Sequence, residues 1–156
     1  MSKALVPLGA EKTGNELIQL VSFSLDNEEY AVEVLKVREI IRMPDITHMP
    51  NTPHYAEGII NLRGKVIPVI SLRKKFGLME TEKDNHTRVI VMDISGELTG
   101  FIVDAVSEVI RISSAEVQPP PAAMATGGVE QEYITGVINR SERLLILLDL
   151  DSLIMA

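Results

Sequence analysis

Short apolar segments rich in β-branched residues alternate along the chain with polar turns. Residues 16–25 and 29–34 flank an Asp-Asn-Glu turn, and this pattern predicts a β-hairpin. Residues 87–94 and 98–104 flank a Ser-Gly-Glu turn in the same way. Because β-branched side chains pack well on a pleated surface, each of these segments is predicted to be a strand.

The two halves of the chain share one pattern of segments. A shift of 69 residues aligns VREII at 37–41 with VSEVI at 106–110, and a shift of 78 residues aligns residues 57–72 with 135–150 without a gap. The aligned pairs occur in the same order in both halves. The sequence therefore predicts an internal duplication, with an irregular loop at 113–132 that lengthens the second half.

Each half is predicted to end in a second hairpin followed by a short helical turn. Ser71 and Asp149 occupy aligned positions, and both are residue types that favour the N-cap of a helix. Gly77 is predicted to close the first of these turns. Residues 34–41 place apolar side chains at spacings of three and four, which fits either a short helix or a bent strand.

The fold class that follows is mostly β, with a few short helices. Several short strands in each half predict a closed sheet in each half. A small barrel buries little on its own, so we expect the two to pack side by side and share a hydrophobic core. We expect a flexible N-terminal tail at 1–14 and a single domain at 15–156, made of two intertwined halves of roughly 15–85 and 86–156.

Composition narrows the range of functions. The 156 residues carry a net charge of −7 and include no cysteine, so disulfides, thiolate catalysis and cysteine-ligated metals are excluded. Aromatic residues make up 4% of the chain, too few for a basic, aromatic nucleic-acid groove. No apolar run approaches the ~20 residues that span a bilayer. We therefore expect neither nucleic-acid binding nor membrane insertion.

No motif for catalysis or metal binding stands out. The histidines, His48, His54 and His86, lie in polar or proline-broken loops without the spacing of a metal site. The chain has neither a Gly-rich phosphate loop before a helix nor a nucleophile elbow. We predict no cofactor, no metal and no enzymatic activity.

An arginine interrupts the apolar hairpin at residues 57–72. Arg63 precedes Gly64 at the apex between two strand-like segments, and Glu39 lies in the VREII segment. We expect Glu39 to pair with Arg63 and to orient it. Since an exposed ion pair adds little stability and arginine is enriched at interface hot spots, a role in partner binding is favoured.

At residues 58–64 (GIINLRG) and 34–40 (VLKVREI) the chain resembles the CheW family of chemotaxis coupling proteins. The resemblance extends to NEEYAVEVLKV at 27–37, NTP at 51–53, GFIVDAVSEV at 100–109 and EYITGV at 132–137. It covers the chain from about residue 16 to residue 153.

The resemblance implies two SH3-like five-stranded barrels and an adaptor without catalysis. The implied partners are the cytoplasmic tip of a methyl-accepting chemoreceptor and the regulatory domain of a CheA-type histidine kinase, itself CheW-like in fold. The resemblance also implies a monomer alone, and rings or arrays with its partners. It implies a cytoplasmic protein recruited to receptor arrays at the inner membrane.

By the same resemblance, the receptor's helical hairpin lies in a groove between the two barrels. The residues that this places on or near the groove are Val34, Val37, Glu39, Ile40, Gly58, Arg63, Val89 and Val106. Apolar residues would receive the helix's apolar face, and a charge would fix its register. No motif marks the kinase-binding residues.

Two alternatives remain open from the sequence. One is a CheW-like regulatory module of a related kinase or of a chemosensory pathway that does not control motility. The other, from a different class, is a small barrel that binds a ligand or an oligonucleotide, for which a basic groove with aromatic residues would be the supporting sign.

Overall fold

The computed structural model describes residues 16–121 and 133–155 and consists mainly of short strands. Within these ranges the elements are β1 (Leu17–Leu25), β2 (Glu28–Glu33), β3 (Val37–Arg42), β4 (Ala56–Leu62), β5 (Lys65–Ser71), α1 (Leu72–Lys75), β6 (Arg88–Ile94), β7 (Glu97–Val103), β8 (Ala105–Ser113), β9 (Val117–Gln118), β10 (Ile134–Arg140), β11 (Arg143–Leu148) and α2 (Leu150–Met155). The predicted mostly-β fold with short helices is confirmed. The expected tail at 1–14 and much of the predicted loop at 113–132 lie outside the described residues.

Two-residue turns connect the strands of the hairpins β1–β2, β4–β5, β6–β7 and β10–β11. The first turn residue has a φ between 50° and 54° in all of them: Asp26, Arg63, Ser95 and Ser141. Tight turns with positive φ match the right-handed twist of paired strands. In the β4–β5 turn, Oδ1 of Asn61 accepts a hydrogen bond from the Gly64 N–H at 2.8 Å.

The structure shows how the two helices begin and which conformation the segment at 34–41 adopts. Val34–Lys36 form a single 3₁₀ turn, and β3 follows directly, so the segment is part helix and part strand. The Ser71 hydroxyl accepts a hydrogen bond from the Lys74 N–H at 3.2 Å, and Asp149 accepts one from the Asp151 N–H at 3.1 Å, which confirms both predicted caps. No helix among the described residues has the length and hydropathy needed to cross a membrane.

The strands form two sheets. When strands are matched by the sequence repeat, the two sheets have equivalent strand orders. Sheet A has the order β8-β1-β2-β11-β10-β9, and sheet B has the order β3-β6-β7-β5-β4. The first hairpin of each half lies in the sheet that the other half completes. Hairpin β1–β2 pairs with β8 and β11, and hairpin β6–β7 pairs with β3 and β5. The two halves of the chain are therefore interlocked by an exchange of hairpins.

A central hydrophobic cluster lies between the two sheets, as the predicted shared core requires. Its buried members come from both sheets and both helices and include Val21, Phe23, Leu25, Ile90, Met92, Phe101, Leu72, Leu150 and Leu153. A smaller cluster fills the interior of each sheet, around Ile138 in sheet A and around Val69 in sheet B. Burying each large apolar side chain contributes roughly 1.5–3 kcal/mol, so the seam between the sheets is a main source of stability.

A crossing of two segments closes one side of sheet B. The Thr47 N–H donates to the Ile59 carbonyl at 2.9 Å, and the Ile59 N–H donates back to the Thr47 carbonyl at 2.9 Å. A Cβ at Gly58 would lie 2.1 Å from the Thr47 oxygen. In sheet A, β9 crosses β10 at the aligned position, and a Cβ at Gly136 would lie 2.9 Å from the Gln118 oxygen. The close crossing explains why both halves have a glycine there.

Candidate partner-binding site

Arg63 stands at the apex of the β4–β5 hairpin, and its side chain is 71% exposed. Its guanidinium donates a hydrogen bond to Oε1 of Glu39, so the predicted ion pair is present. The hydrogen bond from Arg63 lowers the pKa of Glu39, and partial burial opposes that shift only in part. Both groups are therefore charged at neutral pH.

The ion pair connects the two edge strands of sheet B. Glu39 lies on β3 and Arg63 follows β4, and these strands are the first and last of sheet B. The sheet must curl for the two side chains to meet, and the bridge between Thr47 and Ile59 closes the same side. A positive φ is uncommon for arginine, and such turns favour Asn, Asp or Gly. The side chain, rather than the turn, therefore explains the arginine at this position.

Beside this pair, the curled sheet B leaves an open depression of about 530 Å³. Its apolar lining consists of Leu62, Ile67, Val91 and Leu98. Charged side chains surround the lining: Lys65, the Arg63–Glu39 pair, and Arg38, which donates to Asp93 at 2.8 Å. An apolar centre inside a charged rim is the usual composition of a protein-binding surface.

The aligned position in sheet A is more polar. The repeat aligns three of the four apolar residues of the depression with polar ones: Leu62 with Arg140 at a shift of 78, and Val91 with Ser22 and Leu98 with Glu29 at a shift of 69. The fourth, Ile67, aligns with Leu145. In sheet A, Arg143 donates to Glu29 at 3.1 Å where sheet B has an apolar side chain. The two halves have therefore diverged, and the apolar depression belongs to sheet B.

The family resemblance placed Val34, Val37 and Val106 on the receptor groove. In the structure they lie at the seam between the sheets. Each is partly buried and packs against the central cluster. Val37 lies opposite Met92 in the β3–β6 ladder, and Val106 lies opposite Phe23 in the β8–β1 ladder. These are aligned positions in the repeat, so the starts of β3 and β8 border the seam in equivalent ways.

The other expected site residues have different environments. Ile40 is 38% exposed on β3, next to Glu39. Gly58 is buried beneath the crossing with Thr47, and Val89 is 0% exposed in the interior cluster of sheet B. Glu39 and Arg63 thus meet at one end of sheet B, and the three valines lie at the seam. Gly58 and Val89 lie inside the fold.

Sequence reasoning missed the depression itself. Leu62 and Lys65 flank the Arg63–Gly64 turn, so their position in the hairpin could have included them. Asp93 and Leu98 belong to the first hairpin of the other half. Only the exchange of hairpins brings them beside Arg63, and the sequence pattern does not reveal that exchange.

Comparison with known proteins supports one family over most of the chain. The family model for the CheW-like domain matches residues 19–156. The chain is 37% identical over 147 residues to the chemotaxis protein CheW of Klebsiella aerogenes, which covers 94% of this chain and 86% of that protein. It is 35% identical over 143 residues to the chemotaxis protein CheW of Treponema pallidum, which covers 89% of this chain and 83% of that protein.

A solved structure has the same fold. The chain is similar to the scaffolding protein TtCheW from Thermoanaerobacter tengcongensis, with a TM-score of 0.82 and 37% identity. The match covers 90% of this chain and 94% of that one. Together with the two sheets of equivalent strand order, this likeness confirms the expected fold of two SH3-like units. Sheet B has the five strands expected, and sheet A has a sixth, the two-residue strand β9.

Proposed function

This chain belongs to the CheW family of chemotaxis scaffolds, and from that premise we propose that it is a non-catalytic adaptor with two partners. One partner is the cytoplasmic tip of a methyl-accepting chemoreceptor. The other is the regulatory domain of a CheA-type histidine kinase. The names of its relatives support a chemotaxis role and a scaffolding role. The pairing of these two partners is the proposal.

The observation that carries the receptor half of the proposal is the exposed Arg63 held by Glu39. A guanidinium has five N–H donors in a fixed plane, and the bond to Glu39 uses one of them and fixes the direction of the others. An acceptor on a receptor helix can therefore bind a side chain that is already oriented. Such preorganisation reduces the entropy lost on binding.

Apolar contacts supply the rest of the proposed receptor surface. The exposed part of Ile40 and the partly buried side chains of Val34, Val37 and Val106 face an incoming helix in this proposal. An amphipathic helix would place its apolar face on these residues and its polar edge on Arg63. The depression lined by Leu62 and Leu98 lies beside Arg63 as well, and these two side chains pack against the interior cluster of sheet B.

Gly58 and Val89 act in the proposal through the fold and not by contact. Gly58 allows Thr47 to pair with β4 and so holds the hairpin that carries Arg63. Val89 packs in the interior of sheet B, directly opposite Ile41 of β3. Both are positioning residues for the surface that Glu39 and Arg63 present.

The kinase half of the proposal rests on the fold. The regulatory domain of the kinase is expected to share the CheW-like fold, so the two can alternate in rings. We propose that the protein is a monomer alone, and that its partners recruit it in the cytoplasm to receptor arrays at the inner membrane.

Isothermal titration calorimetry with purified full-length chain tests both halves of the proposal. The titrants are a receptor-tip helical hairpin and an isolated kinase regulatory domain. We expect both to bind, and we expect Arg63→Glu to weaken hairpin binding by at least about thirtyfold, as at an interface hot spot. Ser141→Glu, at the aligned turn of sheet A, is the matched control and is expected to bind the hairpin normally. Equal losses in the two variants would contradict the assignment of the receptor to sheet B.

A further inference from the structure

A β-bulge in β3 sets the direction of the Glu39 side chain. In the β3–β6 ladder Val37 lies opposite Met92. The next pairing is Glu39 with Val91, so Arg38 is an extra residue on β3. In a regular strand Val37 and Glu39 would share one face, and Val37 packs against the central cluster. The bulge instead places Glu39 on the other face, with Val91 and the depression.

The ion pair of Glu39 and Arg63 depends on this bulge. Without the extra residue, Glu39 would lie opposite Ile90, which is a buried member of the central cluster. Its carboxylate would then face apolar side chains, away from Arg63, and an unpaired carboxylate in such surroundings is costly. Whatever holds the bulge therefore also holds Glu39 in reach of Arg63.

The two halves hold the same bulge by different contacts. In sheet A, β8 has the equivalent bulge against β1, at Ser107. There the Ser22 hydroxyl accepts a hydrogen bond from the Glu108 N–H and donates one to the Glu108 carbonyl, both at 3.2 Å. The repeat aligns Glu108 with Glu39 and Ser22 with Val91, which has no hydroxyl. Sheet B must therefore hold its bulge in another way.

An ion pair takes that place in sheet B. Arg38, the extra residue, donates a hydrogen bond to Oδ2 of Asp93 at 2.8 Å. The other carboxylate oxygen, Oδ1, accepts a hydrogen bond from the Gly96 N–H at 2.8 Å, so the β6–β7 turn fixes Asp93. The repeat aligns this pair with two serines, Ser107 and Ser24, which cannot form an ion pair. The charged contact is therefore specific to the sheet that carries Arg63.

We propose that Asp93 is a positioning residue for receptor binding, because through Arg38 it holds the bulge that directs the Glu39 carboxylate. Glu39 in turn orients Arg63. The proposal rests on the receptor role proposed above for Arg63, and it adds a residue of the second half to that site. Arg38 and Asp93 are 50% and 32% exposed, and such a pair contributes little to stability. Its effect on the direction of Glu39 is therefore separable from an effect on folding.

Two substitutions break the pair from opposite sides. Asp93→Asn removes the charge that holds Arg38, while the amide oxygen can still accept the hydrogen bond from the Gly96 N–H. Arg38→Ala removes the other partner. If the pair holds the bulge, both changes loosen Glu39, and the double variant is no worse than either single one. If Asp93 only kept Arg38 from pairing with Glu39, Arg38→Ala would behave as the wild type, and the proposal would be overturned.

The side-chain NMR spectrum of Arg63 reports the positioning without any partner. The bond to Glu39 hinders rotation of the guanidinium, so its two terminal nitrogens are expected to give separate signals at low temperature in an arginine-labelled chain. The signals should merge in Glu39→Gln, and equally in Asp93→Asn and Arg38→Ala. Ser24→Ala, at the position aligned with Asp93 in sheet A, is the matched control and should leave them separate.

Calorimetry with the receptor-tip hairpin then connects the positioning to binding. We expect Asp93→Asn and Arg38→Ala each to weaken hairpin binding about fivefold, with little change in melting temperature. Adding Val91→Thr to Asp93→Asn supplies a hydroxyl where sheet A has Ser22, and it is expected to restore both the separate Arg63 signals and the affinity.

The two readouts distinguish failure of this proposal from failure of the proposed function. A wild-type chain that did not bind the hairpin would contradict the proposed function and with it the binding role of Asp93, while the Arg63 signals would still decide whether Asp93 positions Glu39. Separate Arg63 signals in Asp93→Asn would overturn the proposal. A lower melting temperature without any change in those signals would make Asp93 a structural residue only.

Discussion

Replacing Gly58 by alanine separates a role in the fold from a role in partner contact. Gly58 has a φ of +145°, a conformation that residues with a side chain rarely adopt. The added Cβ would lie 2.1 Å from the Thr47 oxygen and 2.9 Å from Ile46 Cγ2. The segment around Thr47 must therefore move away from β4, which breaks its two hydrogen bonds to Ile59.

The cost can be worked from these contacts. Backbone strain at such a position amounts to roughly 1–3 kcal/mol, and each lost hydrogen bond costs roughly 0.5–1.5 kcal/mol. We expect Gly58→Ala to lower the free energy of unfolding by about 3–5 kcal/mol. For a chain of 156 residues this lowers the melting temperature by about 10 °C.

Thermal unfolding followed by far-ultraviolet circular dichroism measures this effect. Gly64→Ala is the matched control, since Gly64 also has a positive φ, +90°, but a Cβ there would meet nothing within 4 Å. Strain alone should lower its melting temperature by only about 3–5 °C. If Gly58→Ala melted like the wild type but failed to bind the receptor hairpin, Gly58 would be a contact residue and the reasoning would be refuted.

Three other substitutions have expected outcomes. Arg63→Glu leaves the melting temperature unchanged while it weakens receptor binding, and a calorimetric double-mutant cycle with Glu39→Lys shows coupling between the two side chains. Asp104→Asn removes the negative charge and one of the two oxygens that accept hydrogen bonds from Arg73, and it lowers the free energy of unfolding in urea by roughly 1–2 kcal/mol at pH 7. Burial raises the pKa of Asp104, but the hydrogen bonds from Arg73 and from a backbone N–H outweigh it and lower that pKa. The stability that Asp104 provides is therefore complete above its unfolded pKa and lost as pH falls through the lower folded value, so the difference between wild type and variant shrinks as the pH falls below about 4. Ser71→Ala removes the N-cap of α1 and costs about 1 kcal/mol by the same urea titration.

Each of these outcomes has a result that contradicts it. An additive double-mutant cycle would show that Glu39 does not orient Arg63. A difference between wild type and Asp104→Asn that stays constant from pH 7 to about pH 3 would show that the ionised carboxylate adds no stability. Ser71→Thr keeps the hydroxyl and serves as the control for Ser71→Ala, so equal losses in both would exclude the cap as the cause.

Local features of the fold could be predicted from the sequence because they depend on nearby residues. Turn residues with a tolerance for positive φ marked the hairpins, and Ser71 and Asp149 marked the helix starts. The ion pair of Glu39 and Arg63 was also predicted. Both residues lie in the first half, Glu39 on β3 and Arg63 in the turn between β4 and β5.

The two halves were expected to be intertwined, but the sequence did not show which hairpins they exchange. A repeat shows which segments are alike, but it does not show whether a given hairpin pairs with strands of its own half or of the other half. Alternation also failed to show burial in β6, where Val89, Ile90, Val91 and Met92 are all buried. Because hydrophobic clusters cover both faces of β6, successive residues are all apolar. Its sequence therefore lacks the alternation of polar and apolar residues that would show which face is buried.

An NMR titration of isotope-labelled chain with a receptor-tip helical hairpin tests the central claim most directly. The account predicts that backbone amide shifts concentrate at Glu39, Ile40 and Arg63 and at the seam residues Val34, Val37 and Val106. The amides around Ser141, at the aligned turn of sheet A, should not move. Shifts centred on Ser141 with none at Arg63, or no shifts at saturating hairpin, would contradict the claim that sheet B and the seam bind the receptor.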